Sequence, residues 1–282
     1  MTSHVPVLLK ESIDGLALSP EKVFVDGTFG GGGHSREVVR RFGTEVRVIG
    51  IDQDPKVARE NPEFDVRTEN FRHIGKALGI TKPDAILLDI GLSSDQLESS
   101  ERGFSFSKDE PLDMRMAQVG VSARDILNSW DSSAIELILR GFGEEKYSKR
   151  IAGEIVRRRE MKPFETTTEL VEAVKAAKPF RHYQKIHPAT QTFQALRIAV
   201  NEELTALEDG LRKSFEVLNP GGRLAVITFH SLEDRIVKNY FRDLGKEKKG
   251  EIINKKPIEP SESEVADNPR SRSAKLRIIK KL

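Results

Sequence analysis

Three aspartates, Asp26, Asp52 and Asp89, stand where short apolar runs end, and their type and placement suit ligand binding. The runs are typical of buried strands, and in α/β folds the carboxyl ends of parallel strands open onto the ligand crevice. A carboxylate at Asp26 suits a ligand with a cationic amino group, and Asp52 is placed to accept hydrogen bonds from ribose hydroxyls. Asp89 and the loop after it are expected to meet both this ligand and a substrate.

Four consecutive glycines, Gly30 to Gly33, follow Asp26 where a predicted strand meets a predicted helix. Without a Cβ, the backbone can approach a nucleotide-like ligand closely, whereas a tight turn alone needs fewer glycines. A Walker loop would require Gly-Lys-Ser or Gly-Lys-Thr, which does not follow, and the dinucleotide fingerprint would need a glycine where Ser35 stands. With Asp26 and Asp52, the loop predicts S-adenosylmethionine as the ligand.

Each candidate also has a structural explanation. Asp52 could act as an N-cap for a helix after Asp54-Pro55, and Ser93 or Ser94 could cap a short helix in the loop after Asp89. His230 follows another predicted strand, where a lone histidine is usually structural or a hydrogen-bond donor. No grouping of His, Asp and Glu has convincing metal spacing, so no metal is predicted.

The composition is that of a soluble globular protein, with 282 residues, 37% hydrophobic and 32% charged. No apolar stretch approaches the roughly 18 residues of a membrane span, and the first residues lack the pattern of a secretory signal. We therefore expect a cytoplasmic protein with no membrane partner. The chain has no cysteine, which excludes disulfides, thiolate metal sites and thiol nucleophiles.

The net charge of +2 does not by itself indicate a nucleic-acid binder, but the basic residues are clustered. Three clusters together favour a polyanionic partner, although solvated helix faces also produce such clusters. Phe104 and Phe106 could stack on a base, although such phenylalanines more often belong to a core. The clusters comprise Arg157 to Arg159; Lys175, Lys178, Arg181 and Lys185; and Arg270, Arg272, Lys275 and Arg277.

These residues require an α/β scaffold to position them. Strands are predicted at 23–26, 46–52, 64–68, 84–90 and 223–229, with a closing antiparallel pair near 252–253 and 275–279. Residues 104–200 instead show helical periodicity, with a capping start at Thr166 to Glu169 and one long helix from about Ala189 to Val217. We predict a doubly wound α/β domain formed by 1–103 and 201–282, interrupted by an all-helical substrate-recognition insertion at 104–200.

Several long motifs resemble those of the bacterial 16S ribosomal RNA cytosine-N4 methyltransferases (the RsmH/MraW type), from about His4 to the C-terminus. Their number and order make the resemblance specific. The matching segments are His4 to Leu8, Gly32 to Ser35, Asp89 to Ser94, Arg102 to Phe106, Pro111 to Met116, Thr192 to Ile198, Phe229 to Arg235 and Asn268 to Ser273. Two positions depart from the family pattern, Gln191 and Ala117, and both concern RNA contacts rather than the cofactor.

The resemblance implies a class I S-adenosylmethionine methyltransferase fold, a Rossmann-like doubly wound sheet with an antiparallel final strand. It implies N4-methylation of cytidine 1402 (rRNA numbering) in the decoding region of 16S ribosomal RNA, with the RNA or the small ribosomal subunit as partner. The cofactor contacts that it implies are Gly32, Gly33, His34, Asp52, Phe71, Asp89 and Gln96, to which the strand-end argument adds Asp26.

For the reaction itself, Asp89, Ser93, Asp113 and His230 are candidates for orienting the cytosine amine. Methylation at cytosine C5 conventionally requires a cysteine thiolate, which this chain lacks, whereas an exocyclic nitrogen attacks directly. The alternative from another class is a noncatalytic RNA-binding or ribosome assembly factor on the same fold. The glycine spacing disfavours a nicotinamide oxidoreductase.

Overall fold

The computed structural model describes residues 6–91, 101–117, 119–179 and 186–282. The chain divides into two compact units. The first comprises Met1–Ser93 and Leu204–Leu282 and is built on a sheet; the second comprises Ser94–Glu203, and its described elements are helices.

The first unit contains one sheet of seven strands in the order β3-β2-β1-β4-β5-β7-β6. The first five strands pair in parallel, and β7 runs antiparallel to both β5 and β6. The predicted doubly wound sheet with an antiparallel final strand is therefore confirmed. The strands are β1 (Val23–Asp26), β2 (Arg47–Asp52), β3 (Asp65–Thr68), β4 (Ala85–Asp89), β5 (Arg223–Thr228), β6 (Gly250–Ile252) and β7 (Lys275–Lys281).

Alternate residues of each strand enter one of two cores, because successive side chains point to opposite faces. Ile86 and Leu88 of β4 join one core, and Leu87 joins the other, and all three are fully buried. This burial on both faces explains why β4 is an almost continuous apolar run. The one polar residue of β4, Asp89, lies at its carboxyl end.

The helices of the described residues alternate with the strands in the first unit and follow one another in the second. They are α1 (Leu9–Leu16), α2 (Gly33–Phe42), α3 (Pro55–Glu60), α4 (Ile74–Leu78), α5 (Ala123–Ser129), α6 (Ser132–Gly143), α7 (Ser148–Arg159), α8 (Thr167–Ala177), α9 (Thr190–Asn201), α10 (Glu203–Val217), α11 (Ser231–Lys246) and α12 (Glu262–Asp267). None of them combines the length and apolar character that a membrane span requires.

The second unit buries apolar residues of its own, and two of its helices, α5 and α6, begin at side-chain caps. Ser122 and Asp125 form a reciprocal capping box at the start of α5, and Glu169 Oε2 accepts the amide of Thr166 at 3.2 Å before α8. The predicted capping start at Thr166 is therefore confirmed. Each cap satisfies amide groups that the first helical turn leaves without partners.

The prediction of one long helix from Ala189 to Val217 is wrong. Glu202 adopts the left-handed conformation (φ 50°, ψ 36°), which ends α9, and α10 begins at the next residue. Arg197 holds this corner by binding both carboxylate oxygens of Glu203 at 2.8 Å. The apolar spacing continues on both sides of the break, so periodicity alone could not reveal it.

Candidate active site at the carboxyl end of the sheet

The parallel register brings three carboxylates to the same edge of the sheet. Asp26 ends β1, Asp52 ends β2 and Asp89 ends β4, and β1 pairs directly with both other strands. β5 lies beside β4 and is followed by His230, so a fourth candidate reaches the same edge. The predicted grouping of Asp26, Asp52, Asp89 and His230 at strand ends is thus present in the first unit.

Asp26 is almost completely buried, at 1% exposure, beneath the glycine loop. Its Oδ2 accepts a hydrogen bond from the Ser35 hydroxyl at 2.8 Å, whereas Oδ1 has no such partner among the described residues. Burial raises the pKa of Asp26 to about 6, although the hydroxyl and nearby amides favour its ionised form. A cationic group at this position would complete the hydrogen bonding of the carboxylate.

The Asp52 side chain accepts hydrogen bonds from two backbone amides, one of them in the glycine loop. Its Oδ2 accepts the amide of Gly30 at 2.8 Å, and its Oδ1 accepts the amide of Asp54 at 2.9 Å. The N-cap of α3 is Asp54, which accepts the amide of Lys56, so the N-cap explanation for Asp52 is wrong. Burial raises the pKa of Asp52. Each carboxylate oxygen carries a second lone pair, so Asp52 can hold the loop and still accept hydroxyl groups.

The glycines of the loop serve different purposes. Gly30 has a positive φ of 50°, and a Cβ there would meet only the Thr28 carbonyl oxygen at 3.9 Å, so its surroundings are open. A Cβ at Gly32 would lie 2.7 Å from the Phe29 ring, and one at Gly33 would lie 2.2 Å from Pro6. Gly30 therefore leaves room beside Asp52, whereas Gly32 and Gly33 are required by internal packing.

His34 and Phe71, both predicted to contact the cofactor, are engaged in internal contacts. His34 is 5% exposed, and its Nε2 lies 3.1 Å from the carbonyl oxygen of Val7. Phe71 is half-buried and packs so closely on α10 that a Cβ at Gly210 would lie 2.4 Å from its ring. Their roles toward a cofactor stay predictions.

Asp89 is held at the end of β4 by its neighbours. The Thr28 hydroxyl accepts its backbone amide at 2.7 Å, and its own Oδ1 accepts the amide of Gly91 at 3.3 Å. Burial, together with the negative charges of Asp26 and Glu233, raises the pKa of Asp89 to about 7. A carboxyl group with a pKa near neutrality can accept a proton at physiological pH, which an ordinary aspartate does poorly.

Glu233 was not predicted as a site residue, yet it organises the turn that carries His230. It is 1% exposed, and its Oε2 accepts the amides of Phe229 at 2.8 Å and His230 at 3.2 Å. In return His230 Nδ1 accepts the Glu233 amide at 3.4 Å and caps α11. The spacing of three residues between His230 and Glu233 is that of a capping box and could have indicated the pair.

The His230 ring has a defined tautomer in this arrangement. Because Nδ1 accepts an amide hydrogen, the proton of the neutral ring lies on Nε2, which is 3.0 Å from Glu233 Oε1. The structural explanation for His230 therefore holds in part, since the side chain is an N-cap.

Asp113 belongs to the second unit, where Arg115 donates to its Oδ1 at 2.6 Å and to its Oδ2 at 3.0 Å. These hydrogen bonds lower the pKa of Asp113, so it is a poor proton acceptor as it stands. Ser93 and Gln96 lie outside the described residues.

The donor set fits S-adenosylmethionine better than a phosphate ligand. Two carboxylates, Asp26 and Asp52, flank the loop, and a third, Asp89, stands beside them, so a pyrophosphate would meet repulsion. The unpartnered Oδ1 of Asp26 suits an ammonium group, and the open side of Gly30 lies beside the lone pairs of Asp52.

Comparison with known proteins agrees with this geometry. The model of the MraW methylase family matches residues 1–282. A protein of Heliobacterium modesticaldum named ribosomal RNA small subunit methyltransferase H is 47% identical, aligned over 99% of this chain and 98% of its own length. One of the same name from Deinococcus radiodurans is 51% identical, over 98% and 89% respectively.

The chain belongs to the MraW methylase family. The predicted resemblance is thereby confirmed, and the sheet described above is the predicted methyltransferase fold. The family is one of S-adenosylmethionine-dependent methyltransferases, so the predicted cofactor is confirmed at that level.

Proposed function

We propose that this methyltransferase transfers the methyl group of S-adenosylmethionine to N4 of cytidine 1402 in the decoding region of 16S ribosomal RNA. The relatives' names support ribosomal RNA of the small subunit as the substrate. The atom assignment is supported by the absence of cysteine, which closes the covalent route to C5, and by Asp89 at the end of β4, a carboxyl group with a pKa of about 7 that can take up the proton N4 loses.

The cofactor supplies a methyl group that its sulfonium charge already activates. Asp26 holds the cationic amino group, and Asp52, with Gly30 bound to one of its oxygens, accepts the ribose hydroxyls. Gly32, Gly33, His34, Phe71 and Gln96 complete the proposed cofactor site.

The cytosine amine is a poor nucleophile, because its lone pair is delocalised into the ring. Asp89 accepts an N–H hydrogen bond from it, which aligns the nitrogen, and takes up the proton that N4 loses when it gains the methyl group. His230, which follows the neighbouring strand β5, is proposed as a group that helps to orient the amine. Ser93 and Asp113 are proposed as further groups that orient the amine.

We further propose that the helical unit recognises the RNA and that the cofactor residues of the α/β unit do not. A cytosine in structured RNA must leave its stack to be methylated, so the enzyme needs contacts with the flanking nucleotides. Single-stranded RNA is commonly held by cations and exposed aromatic rings.

The test is methylation of 16S RNA that carries deuterium at cytosine C5, followed by mass spectrometry of the nucleosides. Transfer to N4 keeps the deuterium, and transfer to C5 expels it. We expect one N4-methylcytidine with full deuterium, which disappears when cytidine 1402 is replaced by uridine. Loss of deuterium would overturn the atom assignment, and methylation that persists in the uridine RNA would overturn the position. The alternative of a noncatalytic assembly factor predicts no methylated nucleoside at all.

A further inference from the structure

One of the basic clusters in the sequence, Arg157 to Arg159, is engaged in contacts within the second unit. Arg157 and Arg158 both bind Glu154, at distances of 2.7 to 2.9 Å. Arg159 donates to the carbonyl oxygens of Leu127 at 2.9 Å and Trp130 at 2.6 Å. The run Arg157 to Arg159 therefore stabilises the helices around it more than it presents free charge.

A different set of cations is available. Lys146, Lys149 and Arg150 are exposed around the start of α7, and none makes an ion pair with any residue that the structure describes. α7 has no acidic residue in its first turn to offset them. Positive charges here are unfavourable, because the start of a helix already carries partial positive charge. These three exposed cations are therefore available to an anionic partner.

An aromatic pair lies in the same unit. The rings of Phe106 and His187 are stacked, with centroids 4.4 Å apart and planes at 12°, and Phe193 supports Phe106 edge-on at 5.4 Å. Phe106 and His187 are half-buried, whereas the neighbouring Phe104 is in the core at 7% exposure. Of the two phenylalanines that the sequence singled out, Phe106 is the one with a ring near the surface.

The surroundings of the His187 ring favour its neutral form. Its Nδ1 accepts the amide of Ala189 at 3.3 Å, so the proton of the ring lies on Nε2. Burial lowers the pKa of His187, and the charges of Lys175 and Lys178 lower it further. A neutral imidazole keeps an uncharged π face, which a base can stack on at physiological pH.

One buried ion pair connects the cations to the aromatic pair. Lys178 Nζ lies 2.6 Å from Glu145 Oε2 and donates to the carbonyl oxygen of Pro188 at 2.5 Å. Glu145 directly precedes Lys146, and Pro188 directly follows His187, so one ammonium group holds the two segments together. Lys175, exposed on α8, is close enough to His187 for its charge to lower the pKa of the ring.

We propose that the surface formed by Lys146, Lys149, Arg150, Lys175, Phe106 and His187, here called the basic-aromatic surface, binds a single-stranded segment of the substrate RNA. The cations contact phosphates, and the aromatic pair stacks with a base. This proposal rests on the proposed function for the identity of the RNA, but it concerns binding and is tested by binding.

The experiment compares two double variants of the full-length protein. Lys149→Ala with Arg150→Ala removes two charges from the basic-aromatic surface. Lys238→Ala with Arg242→Ala is the matched control, because it removes the same two residue types from exposed positions on α11 of the other unit. The probe is a single-stranded RNA of the 16S decoding region, and affinity is measured by fluorescence anisotropy over a range of salt concentrations.

Removing two phosphate contacts should lower the slope of log affinity against log salt by about 1.4 and weaken binding about tenfold. The control should bind as the wild type does. Phe106→Leu keeps the apolar volume against Phe193, and we expect it to weaken binding while leaving the salt slope unchanged, because only stacking is lost.

Equal binding by the wild type and the Lys149/Arg150 variant, an equal loss in the control, or no RNA binding by the wild type would each overturn the proposal. Nucleoside analysis of wild-type reactions runs in parallel. Binding that depends on the surface, with methylation at another atom, would overturn the N4 assignment alone. N4-methylation with binding that ignores the surface would overturn this inference alone.

Discussion

The two units of this protein place their charged residues in opposite environments. The carboxyl end of the sheet gathers Asp26, Asp89 and Glu233 in partly or fully buried positions, where their mutual repulsion and burial raise the pKa of Asp89 to about 7. The helical unit leaves Lys149 and Arg150 exposed with no ion pair among the described residues. In our proposals, the first arrangement tunes a proton acceptor at some cost in stability, and the second keeps positive charge available for RNA.

In each unit, some charged groups lie in an environment that costs folding free energy. In the α/β unit the cost comes from carboxylates that are shielded from water. Backbone amides of Gly30, Gly91 and Phe229 offset part of it by donating hydrogen bonds to these carboxylates. In the helical unit the cost comes from cations at the positive end of α7. Substitutions in the two regions should therefore change different measurable quantities.

Asp89→Asn should have the largest effect on catalysis. Loss of a proton acceptor typically lowers a rate by about 10²–10⁴-fold, and binding of cofactor and RNA should change far less. The wild-type rate should rise with pH and level off above about 7, because Asp89 must be ionised to act. Single-turnover rates from pH 5.5 to 8.5 measure this. A variant with the wild-type rate, or a wild-type profile flat through pH 7, would remove Asp89 from this role.

Asp89→Asn should also raise the free energy of unfolding above neutral pH. The pKa of Asp89 is raised from an ordinary value of 3.8 to about 7, so the folded state holds the proton more tightly and stability falls as the pH rises through this window. Asparagine removes that cost. The variant should be more stable than the wild type at pH 8, by about 4 kcal/mol at most, and should lose this advantage near pH 4. Thermal unfolding at the two pH values provides the comparison.

Asp52→Ala should come next, with an effect on cofactor affinity. The substitution removes the proposed acceptor of ribose hydroxyls and also releases the Gly30 amide. Hydrogen bonds to a charged group are worth about 1.5–3 kcal/mol, which corresponds to a loss of roughly tenfold to 100-fold. Calorimetry with S-adenosylmethionine measures it, and Asp52→Asn should lose less, because one oxygen remains. Unchanged affinity in a folded Asp52→Ala protein would place the ribose elsewhere.

The sequence predicts those features of the site whose position follows from the order of neighbouring residues in the chain. Strand ends at Asp26, Asp52 and Asp89 could be identified because buried parallel strands are continuous apolar runs, and register then brings their carboxyl ends together. The break at Glu202 could not be identified, because the apolar spacing continues through it. Nor could the available cations, since only tertiary partners such as Glu154 show that Arg157 and Arg158 are engaged.

Glycines in the two units differ in how closely their surroundings pack around them. Gly33 begins α2, and a Cβ there would lie 2.2 Å from Pro6 Cγ. The Pro6 segment cannot easily yield, because the Leu8 amide is bound to Glu264 Oε1 at 2.7 Å and Val7 to His34. Gly33→Ala should destabilise the cofactor-free protein by about 1–3 kcal/mol, as overpacking does. An unchanged midpoint of thermal unfolding would show that the Pro6 segment moves freely.

Gly153→Ala should have the smallest effect, and the opposite sign. Gly153 lies in the middle of α7 on the same exposed side as Lys149, and a Cβ there would meet nothing within 4 Å. Alanine loses less backbone entropy on folding than glycine, so the variant should be more stable by about 0.5–1 kcal/mol. Thermal unfolding of Gly153→Ala beside Gly33→Ala measures both signs in one experiment. Cofactor affinity should not change, because none of the proposed cofactor residues lies in α7. A fall in stability would mean that this side of α7 is covered in solution, and the surface would then not be free for RNA.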